Sequence, residues 1–276
     1  MKKLLSVMAI ACGALGASTA HAVPVTQWTY NVNAAWSGQS FNGNSGCFTT
    51  TGTEISWGAD VNGATAGCGT VTVGMTPSTS ARSGIFILNT PQTGTITTGS
   101  LTPQPTNSYA HINNPISDSF STLTTATVTT TLTLTPLSPP ASSLDPDTIT
   151  FNINFAETPN IGVENCGFPS TSSCDDIFVV TFGALNNSFT YDGFEYFVSI
   201  VKTAGPIDPL PAATCAAAGA APGCLGFQTI EGARTQVDFG IVITSEPIQV
   251  PEPGALSLVG LGLLGAAAAR RRAKTA

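Results

Sequence analysis

The sequence predicts an all-β fold: a two-layer antiparallel β-sandwich of jelly-roll type, flanked by an N-terminal signal helix and a C-terminal hydrophobic anchor helix. Three observations carry this. Side chains alternate with the period of two that places successive residues on opposite faces of a strand, and they do so through residues 28–36, 149–155 and 237–243. Asp192-Gly193 joins two further runs and suits the tight hairpin turn that needs positive φ at both central positions. Between residues 23 and 250 no 3.6-residue periodicity survives, apart from one turn at 212–218.

Taken in chain order, the first strand turns Trp28, Tyr30, Val32, Ala34 and Trp36 to one face and Thr29, Asn31, Asn33 and Ala35 to the other. Shorter candidates follow at 54–57, 70–73, 84–88 and 109–112, with residues 90–107 read as a long loop. Residues 121–143 are rich in Thr, Ser and Pro, the composition of a glycosylated stalk. Yet Ala126, Val128, Leu132 and Leu134 share one parity, which favours a strand followed by a loop at 136–140. In the strand at 149–155, Ile149, Phe151, Ile153 and Phe155 point one way. Residues 177–182 are apolar except Thr181, as expected of a strand covered on both faces. The hairpin 188–191/194–201, a short run at 228–230 and the strand at 237–243 complete about ten strands. Uneven strand lengths and the long loop at 90–107 favour a sandwich over a closed barrel.

The two ends obey different rules. Lys2 and Lys3 precede an apolar run of about 13 residues, and Ala20-His21-Ala22 closes it with a small-x-small cleavage signal. That run would rise only about 20 Å as a helix, too short for a bilayer core of about 30 Å. Residues 1–22 therefore read as a secretory signal peptide, with cleavage before Val23. At the other end Pro251-Glu252-Pro253 precedes an uncharged stretch, 254–269, and then Arg270-Arg271-Arg272. The prolines stop any preceding element. The 16 uncharged residues span a membrane marginally, and the arginines hold the tail on the cytoplasmic side. In its order of motif, apolar stretch and basic cluster, the segment 250–276 resembles the PEP-CTERM sorting signal. That resemblance implies processing by an exosortase and delivery to the cell surface or exopolysaccharide matrix. The partners it implies are the exosortase, the secretion machinery and, before processing, the membrane. The extracytoplasmic domain is residues 23–249.

Composition narrows the function further. Residues 23–250 carry 15 acids and three bases (Arg82, Lys202, Arg234), a net charge near −12 that the full-chain value of −7 conceals. Such a surface repels nucleic acid and anionic membrane. A neutral polysaccharide, a divalent cation or a basic polymer suits it better. Cys12 leaves with the signal peptide, and the six remaining cysteines of an exported chain read as disulfides. Spacing favours Cys47 with Cys68, Cys166 with Cys174 and Cys215 with Cys224, each closing a loop rich in Gly, Pro or Ser.

No residue pattern marks a catalytic site or a metal site, and no cofactor is expected. His111 is the sole histidine after residue 22, and no G-x-S-x-G accompanies it. With Asn113 and Asn114 it could touch a metal or a sugar hydroxyl, but a histidine tying a loop by hydrogen bonds is the simpler reading. Glu54, Glu157, Glu164, Glu195 and Glu231 could supply a glycosidase pair only if the fold set two of them about 5–9.5 Å apart. Asp145-Asp147 and Asp175-Asp176 offer hard oxygen ligands for calcium, although solvated loop acids are the expectation. Trp28, Trp36 and Trp57 could form a sugar-stacking platform, with core packing favoured for the first two. Finally, Ala110-His111-Ile112-Asn113, Ile55-Ser56-Trp57-Gly58 and Trp28-Thr29-Tyr30 together resemble the THxN family of PEP-CTERM proteins, with Ala110 where that family has Thr. The resemblance implies a shared domain, with His111 and Asn113 as its motif residues, and no reaction. Two functions follow as expectations: a structural surface or matrix protein that is not an enzyme, or, as the alternative, a polysaccharide-binding module assisted by calcium.

Overall fold

Alternating apolar runs form strands because each buries one face, and here they form two sheets that bury those faces against each other. The computed structural model describes residues 22–42, 46–59, 68–77, 81–117, 119–145, 147–159, 161–181 and 185–248. Residues 1–21, Pro251-Glu252-Pro253 and Arg270-Arg271-Arg272 lie outside these, so the two flanking helices and the sorting motif do too. The described strands are β1 (Gln27–Phe41), β2 (Phe48–Thr50), β3 (Glu54–Trp57), β4 (Ser83–Leu88), β5 (Gln92–Thr97), β6 (Gln104–Ile112) and β7 (Leu123–Ser138). They continue with β8 (Asp147–Ala156), β9 (Asp176–Thr181), β10 (Asn187–Tyr191), β11 (Phe194–Ala204), β12 (Asp208–Pro209), β13 (Leu225–Thr229) and β14 (Arg234–Thr244). One short helix, α1 (Ala212–Ala217), occupies the predicted turn.

All pairings are antiparallel, in two sheets ordered β12-β13-β9-β8-β7-β1-β5 and β10-β11-β14-β6-β4-β3-β2. This is the expected two-layer sandwich. At the hairpin β10–β11, Asp192 (φ 49°) and Gly193 (φ 81°) have the two positive φ values that the turn demands. The three disulfides are Cys47–Cys68, Cys166–Cys174 and Cys215–Cys224, the pairs favoured by spacing.

The core has two centres along the length of β1. One gathers Val25, Trp28, Tyr30, Val32, Leu134, Tyr196 and Ile241, and the other Trp36, Trp57, Phe155, Phe178, Phe227 and Phe239. Trp28 and Trp36 are eight residues apart on the same face, which separates the centres by about 27 Å at 3.4 Å per residue.

Several local expectations need correction. Residues 90–107 are not a loop: they contain β5 and the start of β6. β5 escaped notice because it is an edge strand in which only Ile96 is buried. Its central Gly94 lies opposite Tyr30, and a Cβ there would come within 2.5 Å of the Tyr30 hydroxyl, so the position cannot carry an apolar side chain. No long loop at 90–107 therefore separates the sandwich from a barrel; the two sheets do. Residues 70–73 are not a strand; Val71 packs with Phe86 and Ile112 as a small separate core on the outer face of β4 and β6, with Val73 and Met75 against it. β7 also runs on through Pro136 to Ser138, where a loop was expected.

Candidate functional site

β6 lies inside its sheet, between β14 and β4, with His111 paired to Thr235 on one side and Ile85 on the other. Its alternation directs Tyr109 and His111 inward, while Ile112 faces the small outer core. Both faces of the strand are thus covered, and His111 retains 1% of its exposure. The ring is packed as an aromatic. It stacks on Trp57 at 5.8 Å between centroids with a 13° tilt, and meets Phe155 and Phe178 edge-on at 5.5 and 4.9 Å. Neither ring nitrogen has a hydrogen-bond partner, so the expectation that His111 ties a loop by hydrogen bonds is wrong. Burial pushes its pKa down to about 3, leaving a neutral imidazole at neutral pH. The 4.0 Å approach of Nε2 to Asp176 Oδ2 is therefore neither an ion pair nor a hydrogen bond.

Three carboxyls gather at this end of the core, and of these Asp176 approaches the ring. Glu157 follows β8 and accepts a 2.7 Å hydrogen bond from Trp57 Nε1 at Oε2. Asp176 opens β9 and accepts at Oδ1 from the Thr158 backbone N–H (2.9 Å) and hydroxyl (3.3 Å). Glu231 sits in the turn between β13 and β14, next to Thr229, which pairs with Asp176 across the β13–β9 ladder. Asn113 donates from Nδ2 to the Thr229 carbonyl at 3.1 Å and belongs to the same group. Among the described residues, twelve buried side-chain nitrogen or oxygen atoms have no hydrogen-bond partner, and eight of them are on His111, Asn113, Glu157, Asp176, Thr229 and Glu231. Unpaired buried polar atoms are costly; among the described residues they concentrate here.

Burial dominates the ionisation of all three acids. It raises Glu157 to about 8, with the Glu231 charge adding and the Trp57 N–H opposing. It raises Asp176 well above the carboxylate range, with the Glu157 charge adding and Thr158 opposing. Glu231 rises to about 7, again through burial, with Asp175 adding. Both Glu231 oxygens lack a well-formed hydrogen bond, yet the Gly232 N–H and the Asn113 amide lie near enough to favour its charged form. Asp175 behaves oppositely to its neighbour. Burial alone would raise it, but bonds from Ser172, Thr171 and Ser170 outweigh that and hold it low. No lysine or arginine compensates: among the described residues the cationic ion pair is Lys202–Asp208.

The sequence-predicted residues thus separate. Asp175 and Asp176 are 2% and 0% exposed, not the solvated loop acids expected: Thr171 and Ser172 of the Cys166–Cys174 loop bond Asp175, and Asp176 faces Thr158 and His111. Of the five glutamates considered as a glycosidase pair, Glu157 and Glu231 come together, whereas Glu54 is half-buried on β3, where it accepts from the Ser56 hydroxyl, and Glu164 and Glu195 are exposed elsewhere. The internal cavity nearby holds about 50 Å³; His111, Phe178, Trp36 and Tyr109 line it, but no carboxyl does. Substrate pockets hold several hundred Å³. The tryptophans form no platform, since Trp28, Trp36 and Trp57 are 0%, 8% and 0% exposed. Among the described residues no three His, Cys, Asp or Glu side chains converge as metal ligands. Sequence reasoning singled out His111 and Asn113 but did not connect them to Glu157, Asp176 and Glu231, which lie up to 120 residues away along the chain.

The comparisons with known proteins bear on the C-terminus. Residues 249–272 match the PEP-CTERM protein-sorting motif. Such a motif implies export, a membrane-anchored intermediate and processing by an exosortase. A search of curated proteins returns no match to this chain.

Proposed function

We propose that this chain, which carries a PEP-CTERM sorting motif at its C-terminus, is a non-catalytic structural protein of the cell surface or exopolysaccharide matrix, exported by a cleaved signal peptide and released from its anchor by an exosortase. The burial of all three tryptophans carries the structural reading. A glycan-binding face exposes its aromatic rings, and a hydrolase opens its carboxyls to a groove. Here all three tryptophans and Asp176 are buried, and the fold is stapled in three loops as suits an extracellular life.

Mass spectrometry of the native protein, recovered from the culture surface and matrix fractions, tests the reading. The expected mature form begins at Val23 and ends near Pro251-Glu252-Pro253. Recovery from cytosol with Met1 and Ala276 both present would overturn it.

A cleft of about 220 Å³ supports the alternative of polysaccharide binding. It opens between β7 and the β10–β11 hairpin, where Asp145, Asn187, Ser188 and the half-buried Phe189 meet. A glycan array probed with and without chelator separates the two functions. Binding lost in an Asn187→Ala variant selects the alternative, and no binding selects the structural role.

A further inference from the structure

We propose that Glu157 and Asp176 share one bound proton, and that this proton joins the two sheets at the Trp57 end of the sandwich, so that the domain is an acid-stabilised fold. The geometry is complementary. Each carboxyl has one oxygen satisfied by a protein donor: Glu157 Oε2 by Trp57 Nε1, and Asp176 Oδ1 by Thr158. Each has one oxygen left, Glu157 Oε1 and Asp176 Oδ2, both buried and both unpartnered. The β8–β9 ladder pairs Ala156 with Ile177, so its register sets Glu157 and Asp176 opposite each other, and Thr158, next to Glu157, donates to Asp176. Ionised carboxylates only accept, so neither remaining oxygen can satisfy the other until one of them carries a proton. Trp57 belongs to one sheet, while Glu157 and Asp176 belong to the end of the other. The chain of bonds Trp57–Glu157–proton–Asp176–Thr158 therefore crosses the sandwich.

The neighbours leave the proton as the neutralising species. From β6, His111 presents a neutral ring at 4.0 Å. From the loop before β9, Asp175 keeps its own charge among its Thr171 and Ser172 donors. From the β13–β14 turn, Glu231 adds negative charge. Arg82, Lys202 and Arg234 pair with none of the three acids, and the donors do not converge as a metal site. Two like charges in a dry interior cannot both be sustained.

The sign follows from linkage. The folded protein holds a proton that the unfolded chain releases above the ordinary carboxylate range. Stability is therefore full in acid and falls as pH rises from about 4.5 to about 8. One extra bound proton makes the unfolding constant rise about tenfold per pH unit inside that window.

The test is thermal and urea unfolding of the full, disulfide-oxidised protein in detergent between pH 5 and pH 9, alone and with millimolar calcium. The expected result is a midpoint that falls with pH in the wild type and falls clearly less in Asp176→Asn, whose amide N–H replaces the shared proton and leaves Glu231 to titrate. An unchanging wild-type midpoint overturns the proposal, and so does a variant that retains the full slope. Alkaline stability restored by calcium in the wild type but not in the variant also overturns it, in favour of a cation site. Should the variant not fold, infrared spectroscopy of Glu231→Gln, which removes the other carboxyl raised to about 7, decides. A protonated-carboxyl band at pH 7 that disappears by pH 9 supports the shared proton, and its absence at pH 7 overturns it.

Discussion

Trp28 and Trp57 are both wholly buried, one in each centre of the core, and they are held by opposite chemistry. Trp28 donates its indole N–H to the Thr98 hydroxyl at 3.0 Å, which passes a 2.7 Å bond to the Val25 carbonyl, while the Val25 N–H bonds the Tyr196 hydroxyl at 2.8 Å. Phe189, Tyr191 and Tyr196 surround the ring edge-on at 5.1–5.7 Å. Each of these partners is a hydroxyl, a carbonyl or an aromatic ring. Trp57 donates instead to a carboxyl that is itself buried beside two others. Satisfying one indole with a hydroxyl brings no ionisation cost, whereas satisfying the other with a carboxyl makes the surrounding core depend on who holds a proton. One sandwich thus has a centre whose cohesion is set by packing and a centre whose cohesion is set by packing and pH.

The largest expected effect isolates packing. Trp28→Ala should cost about 3–5 kcal/mol, the range for removing a large buried aromatic, and urea unfolding should give the same loss at pH 5 and at pH 8. A loss that doubled at the higher pH would mean that the Trp28 centre also carries an ionisation and would erase the contrast.

A disulfide sharpens it next. Cys174 is fully buried, and its carbonyl accepts from Thr158, the residue that also bonds Asp176. Replacing Cys166 and Cys174 together by Ser should cost about 2.6 kcal/mol on the loop-entropy model. The damage should also be local. Amide exchange should accelerate over residues 157–176 and stay unchanged in β5 and β10. Equal acceleration in both regions would show that the two centres open as one unit.

The contrast explains what the sequence could and could not disclose. The Trp28 centre is built from one continuous alternation on β1 and a hairpin with its turn residues in place, so periodicity and turn chemistry reveal it. The Trp57 centre is assembled from β3, β6, the end of β8, β9 and the β13–β14 turn. A lone histidine, a Glu after a strand and an Asp pair after a cysteine each look ordinary in isolation. Asp175-Asp176 reads as a solvated loop because charged residues are seldom buried; only the fold reveals that the disulfide loop bonds Asp175 and that Asp176 faces Thr158 and His111. β5 was illegible for the reverse reason, since an edge strand has little apolar surface to alternate and its Gly94 is occupied by a neighbour's ring. The outer core of Val71 and Ile112 hid in the same way, because it adds burial to the face of β6 that a half-exposed strand would leave wet.

The finest test changes one N–H in each centre. Trp28→Phe and Trp57→Phe remove similar volume, so their packing penalties largely cancel in the comparison. Trp28→Phe also deletes a bond between neutral groups, worth about 1 kcal/mol at any pH. Trp57→Phe deletes the donor that favours the charged form of Glu157. Its cost should match that of Trp28→Phe at pH 5, where Glu157 is protonated, and exceed it by about 1 kcal/mol at pH 9, where the carboxylate must lie buried without its donor. Paired urea titrations at the two pH values measure this difference. Equal costs throughout would mean that the Trp57 bond is indifferent to the charge on its acceptor, and the distinction between the two centres would then rest on packing alone.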